Sequence, residues 1–371
     1  MHKVHYPFVN LQDIFGRNMV DCSNLGLAES TDKQRNEYSL HEGDVLFVRS
    51  SVKAKGVGEA AVVTADIKDT TYSGFIIRFR PSTDFSVDFE RFVFATNPIR
   101  AQIMAKATSS ANTNINQESL SMIDVLLPTL PEQTAIGSFF RTLDDAITLY
   151  KRKLDGLKRL KSAYLQQMFP QAGENVPKVR FAGFTGEWEE ITLGEMLSER
   201  NEQIEESEEY PLMSFVGNVG VVPKGEQYDR SFLVKDDNKK YKKTKLNDFI
   251  YSSNNLETGS IGFNKTGNAV ISPVYSIFYS TTAHESQFVG LLSTRRDFIN
   301  KMIHYRQGVM YGQWRIHERD FLKIKVMAPV NDEQNKIIEF FDLFDNQITI
   351  QSQKLEQAKH LKSAYLSKMF I

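Results

Sequence analysis

The feature that most constrains this chain is a long heptad-patterned segment that occurs twice. Residues 132–169, EQTAIGSFFRTLDDAITLYKRKLDGLKRLKSAYLQQMF, return as residues 333–370, EQNKIIEFFDLFDNQITIQSQKLEQAKHLKSAYLSKMF, at a constant spacing of 201 residues and with half the positions identical. A repeat of this kind decides the architecture before any single element does. The first copy carries its seam on Phe140, Leu143, Ile147, Tyr150, Leu154, Leu157, Lys161, Tyr164 and Met168. The second carries it on Phe341, Phe344, Ile348, Gln351, Leu355, Ala358, Lys362, Tyr365 and Met369. The alternating steps of four and three are an a/d pattern, which predicts two long coiled-coil helices. Each would span roughly 55 Å at about 1.5 Å per residue. Pro131 suits a first helical position, Asn331-Asp332 offers an N-cap, and Pro170 ends the first helix at or before Phe169. Gly156 is a mild cost within the first helix.

Two such helices in one chain most simply pack on each other, and the pattern leaves their relative direction open. Lys161 and Lys362 both fall at a positions, where a polar residue fixes register at some cost in stability. The apolar faces widen at the ends: Phe139 and Phe340 lie beside the seam near the start, and Leu160, Leu165, Leu361 and Leu366 flank Tyr164 and Tyr365 near the end. A two-stranded seam cannot bury all of these. Either the chain's own domains cover them or helices of a partner complete a bundle there.

A chain of 371 residues with 41% hydrophobic and 25% charged residues has room for two globular domains with sizeable cores. No apolar run reaches the ~18 residues of a transmembrane helix, and the start, MHKVHYPFVNLQD, lacks the apolar stretch of a signal peptide. The lone Cys22 excludes an internal disulfide framework and fits a reducing cytoplasm. A net charge of −1 does not suit a free-standing nucleic-acid binder, though it allows a local basic face or a second subunit that supplies most phosphate contacts.

The helices divide the rest into residues 1–130, a linker at 170–190, and residues 191–330, with the helices themselves at 131–169 and 331–371. In the first globular segment Gly43-Asp44 turns into the apolar run 45–49, followed by a Gly- and Lys-bearing loop at 50–58 and a second strand at 74–79. A helix is expected within 89–107 and a polar loop at 108–114. The second segment repeats this plan, with Asn247-Asp248 before a strand at 249–251, a polar loop at 252–262 and a strand at 273–279. Ile316, Phe321, Ile324 and Val326 match Ile115, Leu120, Ile123 and Val125 at the helix spacing. The chain is therefore a duplication of one α+β domain plus one long helix, an internal pseudo-twofold repeat. Its globular halves have diverged far more than its helices.

No motif for catalysis stands out. There is no Gly-rich phosphate loop, no paired-His metal spacing and no Cys cluster; Gly217-Asn-Val-Gly220 reads as a turn, and Ser272-Pro-Val-Tyr275 is not the Asn-Pro-Pro-aromatic tetrapeptide of an amino-methyltransferase. Several polar groups suit DNA instead. The stretch 235–245, KDDNKKYKKTK, holds six lysines, including Lys239, Lys240, Lys242 and Lys243, which could contact phosphates without reading sequence, or be a solvated loop. In 306–315, Arg306, Gln307, Gln313 and Arg315 are the residue types that read guanine and adenine in a major groove. The matching place in the first half holds Lys106, Ser109, Asn112 and Asn114. Arg49, Lys53 and Lys55 sit on the loop that corresponds to Ser253, Asn254 and Asn255. The recurrence of such groups at matching places in both halves is the signal.

These residues resemble the DNA-specificity subunit of Type I restriction–modification enzymes. The resemblance rests on Leu126-Leu-Pro-Thr-Leu-Pro-Glu-Gln133 leading into the helix, Leu160-Lys-Ser-Ala-Tyr-Leu-Gln-Gln-Met-Phe169 closing it, Val179-Arg-Phe-Ala-Gly-Phe-Thr-Gly-Glu-Trp-Glu189 with Leu193-Gly-Glu195 opening the second half, and Gly43-Asp44 before its strand. It implies two target recognition domains and an antiparallel pair of spacer helices. Each domain would read one half of a split, asymmetric site in double-stranded DNA. It further implies two methyltransferase subunits that carry S-adenosylmethionine and methylate adenine N6, and restriction subunits that use ATP and magnesium to translocate and cleave. The widened helix ends would dock the methyltransferase helices. The chain itself would hold no cofactor, catalyse nothing, cross no membrane and work in a bacterial or archaeal cytoplasm. Little precedes residues 9–13, whereas the second half has the 181–188 lead-in before their equivalent, so an alternative or shortened allele is expected, with the missing lead-in following the last helix, absent, or supplied by another subunit. Two other readings stand beside this one: a coiled-coil adaptor that binds protein and not DNA, and a methyltransferase with a cryptic site.

Overall fold

Four consecutive apolar residues, Val45–Val48, form a strand whose two faces are both buried, which is why the run does not alternate with polar residues. The computed structural model that shows this describes residues 5–109, 111–217, 219–223, 239–257, 259–280, 284–308 and 314–370. The chain divides into two units, residues 1–154 with 350–371, and residues 155–349.

In the first unit, Val45–Val48 is the middle of an antiparallel sheet with Ala60–Val62 and Ile76–Phe79. Val45 and Phe47 face one core with Phe89, Phe92, Ile103, Phe140 and Phe370. Leu46 and Val48 face another with Val9, Ile14 and Leu40. A second sheet places His5–Val9 antiparallel to Gly26–Glu29 and parallel to Thr71–Tyr72. The second unit repeats the layout. Phe249–Tyr251 lies between Ile261–Phe263 and Ser276–Ser280, and helix Glu285–Leu292 packs against them.

The turn before each central strand needs a left-handed residue. Gly43 takes it at φ 85° and Asn247 at φ 68°, glycine and asparagine being the residues that tolerate it at least cost. The next residue is a buried aspartate in both units. Asp44 accepts the His41 N–H at 2.8 Å and is gripped by Arg80 at 2.6 and 2.7 Å. Asp248 accepts the Lys245 N–H at 2.8 Å and is held by Arg200 at 2.6 and 3.1 Å. Burial pushes the Asp248 carboxyl up, and the Arg200 hydrogen bond opposes it.

The long helices span Leu130–Gln167 and Asn331–Met369. Within the first unit Phe139 meets Tyr365, Asp144 meets Lys362 at 2.5 Å, and the Tyr150 carbonyl accepts from Gln351. Within the second, Lys161 meets Asp345, and Tyr164 meets Phe344 and Phe340. Numbers rise on one helix as they fall on the other, so the helices of each pair are antiparallel. Each seam lysine is answered by an aspartate of the facing helix, and these aspartates stand at the same repeat spacing as the lysines.

Several expectations change. The helix sought within 89–107 is two, Val87–Val93 and Asn97–Lys106. Pro98 lacks an N–H and belongs in a first turn, so it starts the second of them. The first long helix begins at Leu130 rather than Pro131. Asn331 is the first residue of the second helix rather than its cap, since the Glu333 and Gln334 N–H groups bond to the Val330 carbonyl. His5–Val9 runs parallel to Thr71–Tyr72 just as Leu212 bridges Val270, so its counterpart is the strand at Met213–Val216.

Glu90 stands where the second unit has Val289, on the helix whose Phe89 meets Phe370 as Phe288 meets Phe169. Its carboxyl is buried and, among the described residues, has no hydrogen-bond partner. Burial first, and Asp44 second, push it from 4.5 to about 8. The folded chain therefore keeps a proton that the unfolded chain loses, and stability falls as pH rises from the ordinary value through about 8. Glu90→Gln is expected to raise stability at pH 8.5 by on the order of 2–4 kcal/mol and to change it little near pH 4. Urea titrations at both pH values check this, and equal gains at both would contradict it.

Candidate nucleic-acid interface

The residues singled out after the central strand and those singled out before the long helix form one place in each unit. In the first unit Ser50–Ser51 pairs with Thr113–Asn114, which pairs in turn with Thr108–Ser109, so loop and hairpin make one three-stranded sheet. The Ile115 N–H donates to the Arg49 carbonyl and continues the join. The stretch expected to be a polar loop at 108–114 is thus the hairpin of this platform.

Arg49, Lys53, Lys55, Ser109 and Asn112 are exposed there, and Asn114 donates to the Asn112 carbonyl at 2.9 Å. Lys106 is half-buried at the end of the preceding helix. Arg100 donates to the Lys55 and Val57 carbonyls at 2.7 and 2.8 Å and so pins the lysine loop. Gly56 lets that loop close: a Cβ at this position would lie 2.5 Å from Ser51 Oγ. Val52 and Phe75 stand out beside the lysines at 84% and 59% exposure, and a cavity lined by Val52, Lys53, Lys55, Phe75 and Asn112 opens between them.

In the second unit side chains make the same join. The Trp314 N–H donates to Asn254 Oδ1 at 2.6 Å and the Ile316 N–H to Ser253 Oγ at 3.0 Å, docking the loop on the hairpin strands Gln307–Gly308 and Trp314–Arg315. Gln307, Trp314 and Arg315 are exposed. Gln307 reaches Asp320 at 3.3 Å, and Arg315 lies 3.7 Å from Glu318. Arg306 is held by Glu257 in a two-pronged pair at 2.6 and 2.7 Å, which keeps the Glu257 carboxyl below its ordinary range. Asn255 sits in the same turn, where its N–H donates to the Ser252 carbonyl. Gln313 lies outside the described residues.

The lysine-rich stretch belongs to a different sheet from this platform. Residues 235–238 lie outside the described residues, and Tyr241–Thr244 is a strand between Gln203–Ile204 and Ala269–Ile271. Lys242 is buried, while Lys243 binds Glu202 at 2.9 Å and lies over the Tyr210 ring. Lys239 and Lys240 are exposed.

Of the helix-end residues, Tyr164, Leu165 and Phe340 pack on the second unit's core and Leu366 on the first unit's. Phe139 and Tyr365 meet edge to face and stay partly exposed. Leu160 and Leu361, equivalent positions of the repeat, are exposed. So are Leu149 and Ile350, a second equivalent pair that heptad reasoning left out because it lies off the seam. Among the described residues no group of three His, Cys, Asp or Glu could hold a metal, and no helix is long and apolar enough to cross a membrane.

Asn254→Ala removes the acceptor that docks the Trp314 backbone. Amide exchange at 314–316 is expected to speed by roughly five- to ten-fold, the equivalent of about 1 kcal/mol, with the core unchanged. Unchanged exchange there would show that the loop does not hold the hairpin.

A family model described as "Type I restriction modification DNA specificity domain" matches residues 4–159 and again 185–360. The putative type I restriction enzyme MjaX specificity subunit of Methanocaldococcus jannaschii is 21% identical over 200 residues. That match covers 52% of this chain, and the chain spans 46%, about half, of the relative's length. The crystal structure of the Type-I restriction-modification system S subunit from M. genitalium is similar with a TM-score of 0.58 at 14% identity, covering 99% of this chain and 88% of that one. A structure titled for complex assembly and conformational transition of the type I R-M system is similar with a TM-score of 0.53 at 16% identity, covering 99% and 92%.

Proposed function

The chain belongs to the family of Type I restriction modification DNA specificity domains, and from that premise we propose that it selects the DNA site of a Type I restriction–modification complex and is not itself the catalyst. Each unit reads one half of a split site. Two methyltransferase subunits carry S-adenosylmethionine and methylate adenine N6 at the site so chosen, and restriction subunits, with ATP and magnesium, act on unmodified DNA. The complex works in the cytoplasm.

The observation that carries this reading is the recurrence of one platform, a loop docked on a short hairpin, at equivalent places in both units but with different side chains. The same scaffold presents Arg49, Lys53, Lys55 and Ser109 in one unit and Gln307, Trp314 and Arg315 in the other. Arg and Gln satisfy the donor and acceptor pattern of base edges, and lysine answers phosphate. Arg306, tied to Glu257, would have to exchange that carboxylate for DNA, a swap that would discriminate against wrong sites by leaving Glu257 unpaired. Phe139, Leu160, Leu361 and Tyr365 offer apolar surface for the methyltransferase helices.

Co-expression with a methyltransferase subunit of the same system, followed by mapping of N6-methyladenine, tests the reading. A split motif that depends on this chain is expected. Arg315→Ala should relax a position in one half, at a cost of about 1–3 kcal/mol. Lys53→Ala should weaken binding to all sites alike and lower the salt dependence by roughly one ion. A stable complex that yields no motif, or an Arg315→Ala change that alters both halves, would overturn the assignment.

A further inference from the structure

The lysine loop of the first unit has an apolar tip. Val52 lies between Ser51 and Lys53 and, at 84%, is the most exposed large hydrophobic side chain among the described residues. With Phe15 and Phe75, both also exposed, it lines a cavity of about 620 Å³. Single exposed apolar side chains are ordinary on a protein surface, but three that share one hollow mark a contact site. The backbone holds them in place. Ser50–Ser51 is fixed by its pairing with Thr113–Asn114. The Gly56 N–H donates to the Lys53 carbonyl at 2.8 Å and closes the turn after Val52. The Arg49 N–H donates to the Phe75 carbonyl at 2.8 Å and ties Phe75 to the start of the same loop.

Charge selects the occupant. Lys53 and Lys55 line the hollow and Arg49 begins the loop, and among the described residues none of the three forms an ion pair. Glu59, on the same wall, already accepts the Gly16 N–H at 2.8 Å. An apolar face of a protein partner would cover these cations without answering them. DNA brings phosphates on both sides of a groove. A hollow receives a group that projects, and in the major groove the apolar group that projects from the bases is the 5-methyl of thymine. A wedge that unstacks base pairs is convex, whereas Val52 and Phe75 stand on the walls of a concavity. The corresponding loop of the second unit lacks such a tip: among its described residues Asn254, Asn255 and Glu257 are exposed and Leu256 is buried.

We propose that the hollow between Val52 and Phe75 takes the 5-methyl group of a thymine in the half-site read by the first unit, a step that rests on the DNA reading above and adds a base to it. Val52 is then a specificity-determining residue. Lys53 and Lys55 hold phosphates, a contact blind to sequence. Val52 and Phe75 tell T·A from C·G by packing on a methyl that cytosine lacks. The discrimination comes from apolar area removed from water and not from a hydrogen bond. Uracil, identical to thymine in its hydrogen-bonding edge, is therefore read here as a different base.

The probe is a duplex carrying the motif mapped by methylation, with its thymines replaced one at a time by uracil, titrated with the complex of this chain and its methyltransferase subunits. In one half of the motif, loss of a single methyl should weaken binding roughly three- to five-fold, the worth of one buried methyl. Val52→Ser should make the thymine and uracil duplexes bind alike at that position. The salt dependence should stay that of the parent, because the lysines are untouched. Val52 is exposed, so the variant should keep the circular dichroism of the parent chain. Specific binding that tolerates uracil at every position, or a uracil penalty that Val52→Ser leaves in place, would overturn the inference while the DNA reading stands. Absence of any motif-specific binding would overturn both. Release of a methyltransferase subunit by Val52→Ser, with no thymine sensitive to its methyl, would also overturn the inference and make the hollow a protein-docking surface.

Discussion

A lysine placed in an apolar helix seam must find a carboxylate or leave the seam, and that requirement organises both units. Lys161 finds Asp345 in one and Lys362 finds Asp144 in the other. Half-buried pairs of this kind add little net stability, because desolvation offsets much of the attraction. What they supply is register. A one-heptad slip in either direction would part both lysines from their aspartates, so the pairs select one antiparallel alignment of otherwise similar seams. That alignment brings Phe370 onto Phe89 and Phe140 in the first unit and Phe169 onto Phe288 and Phe341 in the second. The globular cores are therefore completed by helix ends that the seam has already positioned.

The long helices were legible because their signal is periodic and repeated. The spacing gave their extent to within two or three residues and marked the lysines as register devices. It could not give direction, since the aspartates that settle it lie off the seam and cannot be matched to a lysine until the helices are placed side by side. The central strand was legible from its apolar run, and Gly43-Asp44 from the turn that only a few residues accept. The platform was half legible. Polar residues in two loops marked each place, but the short strands at 50–51, 108–109 and 113–114 carry no alternation, so their pairing into one sheet was not readable. The lysine-rich stretch shows the converse failure: charge density alone did not show that Lys242 sits inside a strand pair or that Lys243 is committed to Glu202.

The two units solve the same local problem with different parts. Each buries an aspartate after its left-handed turn, and each answers it with an arginine, but Arg80 comes from the end of the strand at 76–79 while Arg200 comes from the end of the strand at 197–199. The platform joins differ likewise, backbone pairing in one and Ser253 and Asn254 side chains in the other. A scaffold that tolerates such exchanges can hold its helices constant while the exposed hairpin residues vary, which is the physical requirement for changing a recognised sequence without changing the complex that acts on it.

The most direct measurement is hydrogen exchange on the assembled complex with and without a duplex carrying its methylated motif. The expected result is slowed exchange at 50–55 and 108–114 in one unit and at 253–257, 307–308 and 314–315 in the other, with the strand at 241–244 unchanged. Slowing confined to one unit, or centred on the lysine strand, would contradict a pair of equivalent reading platforms.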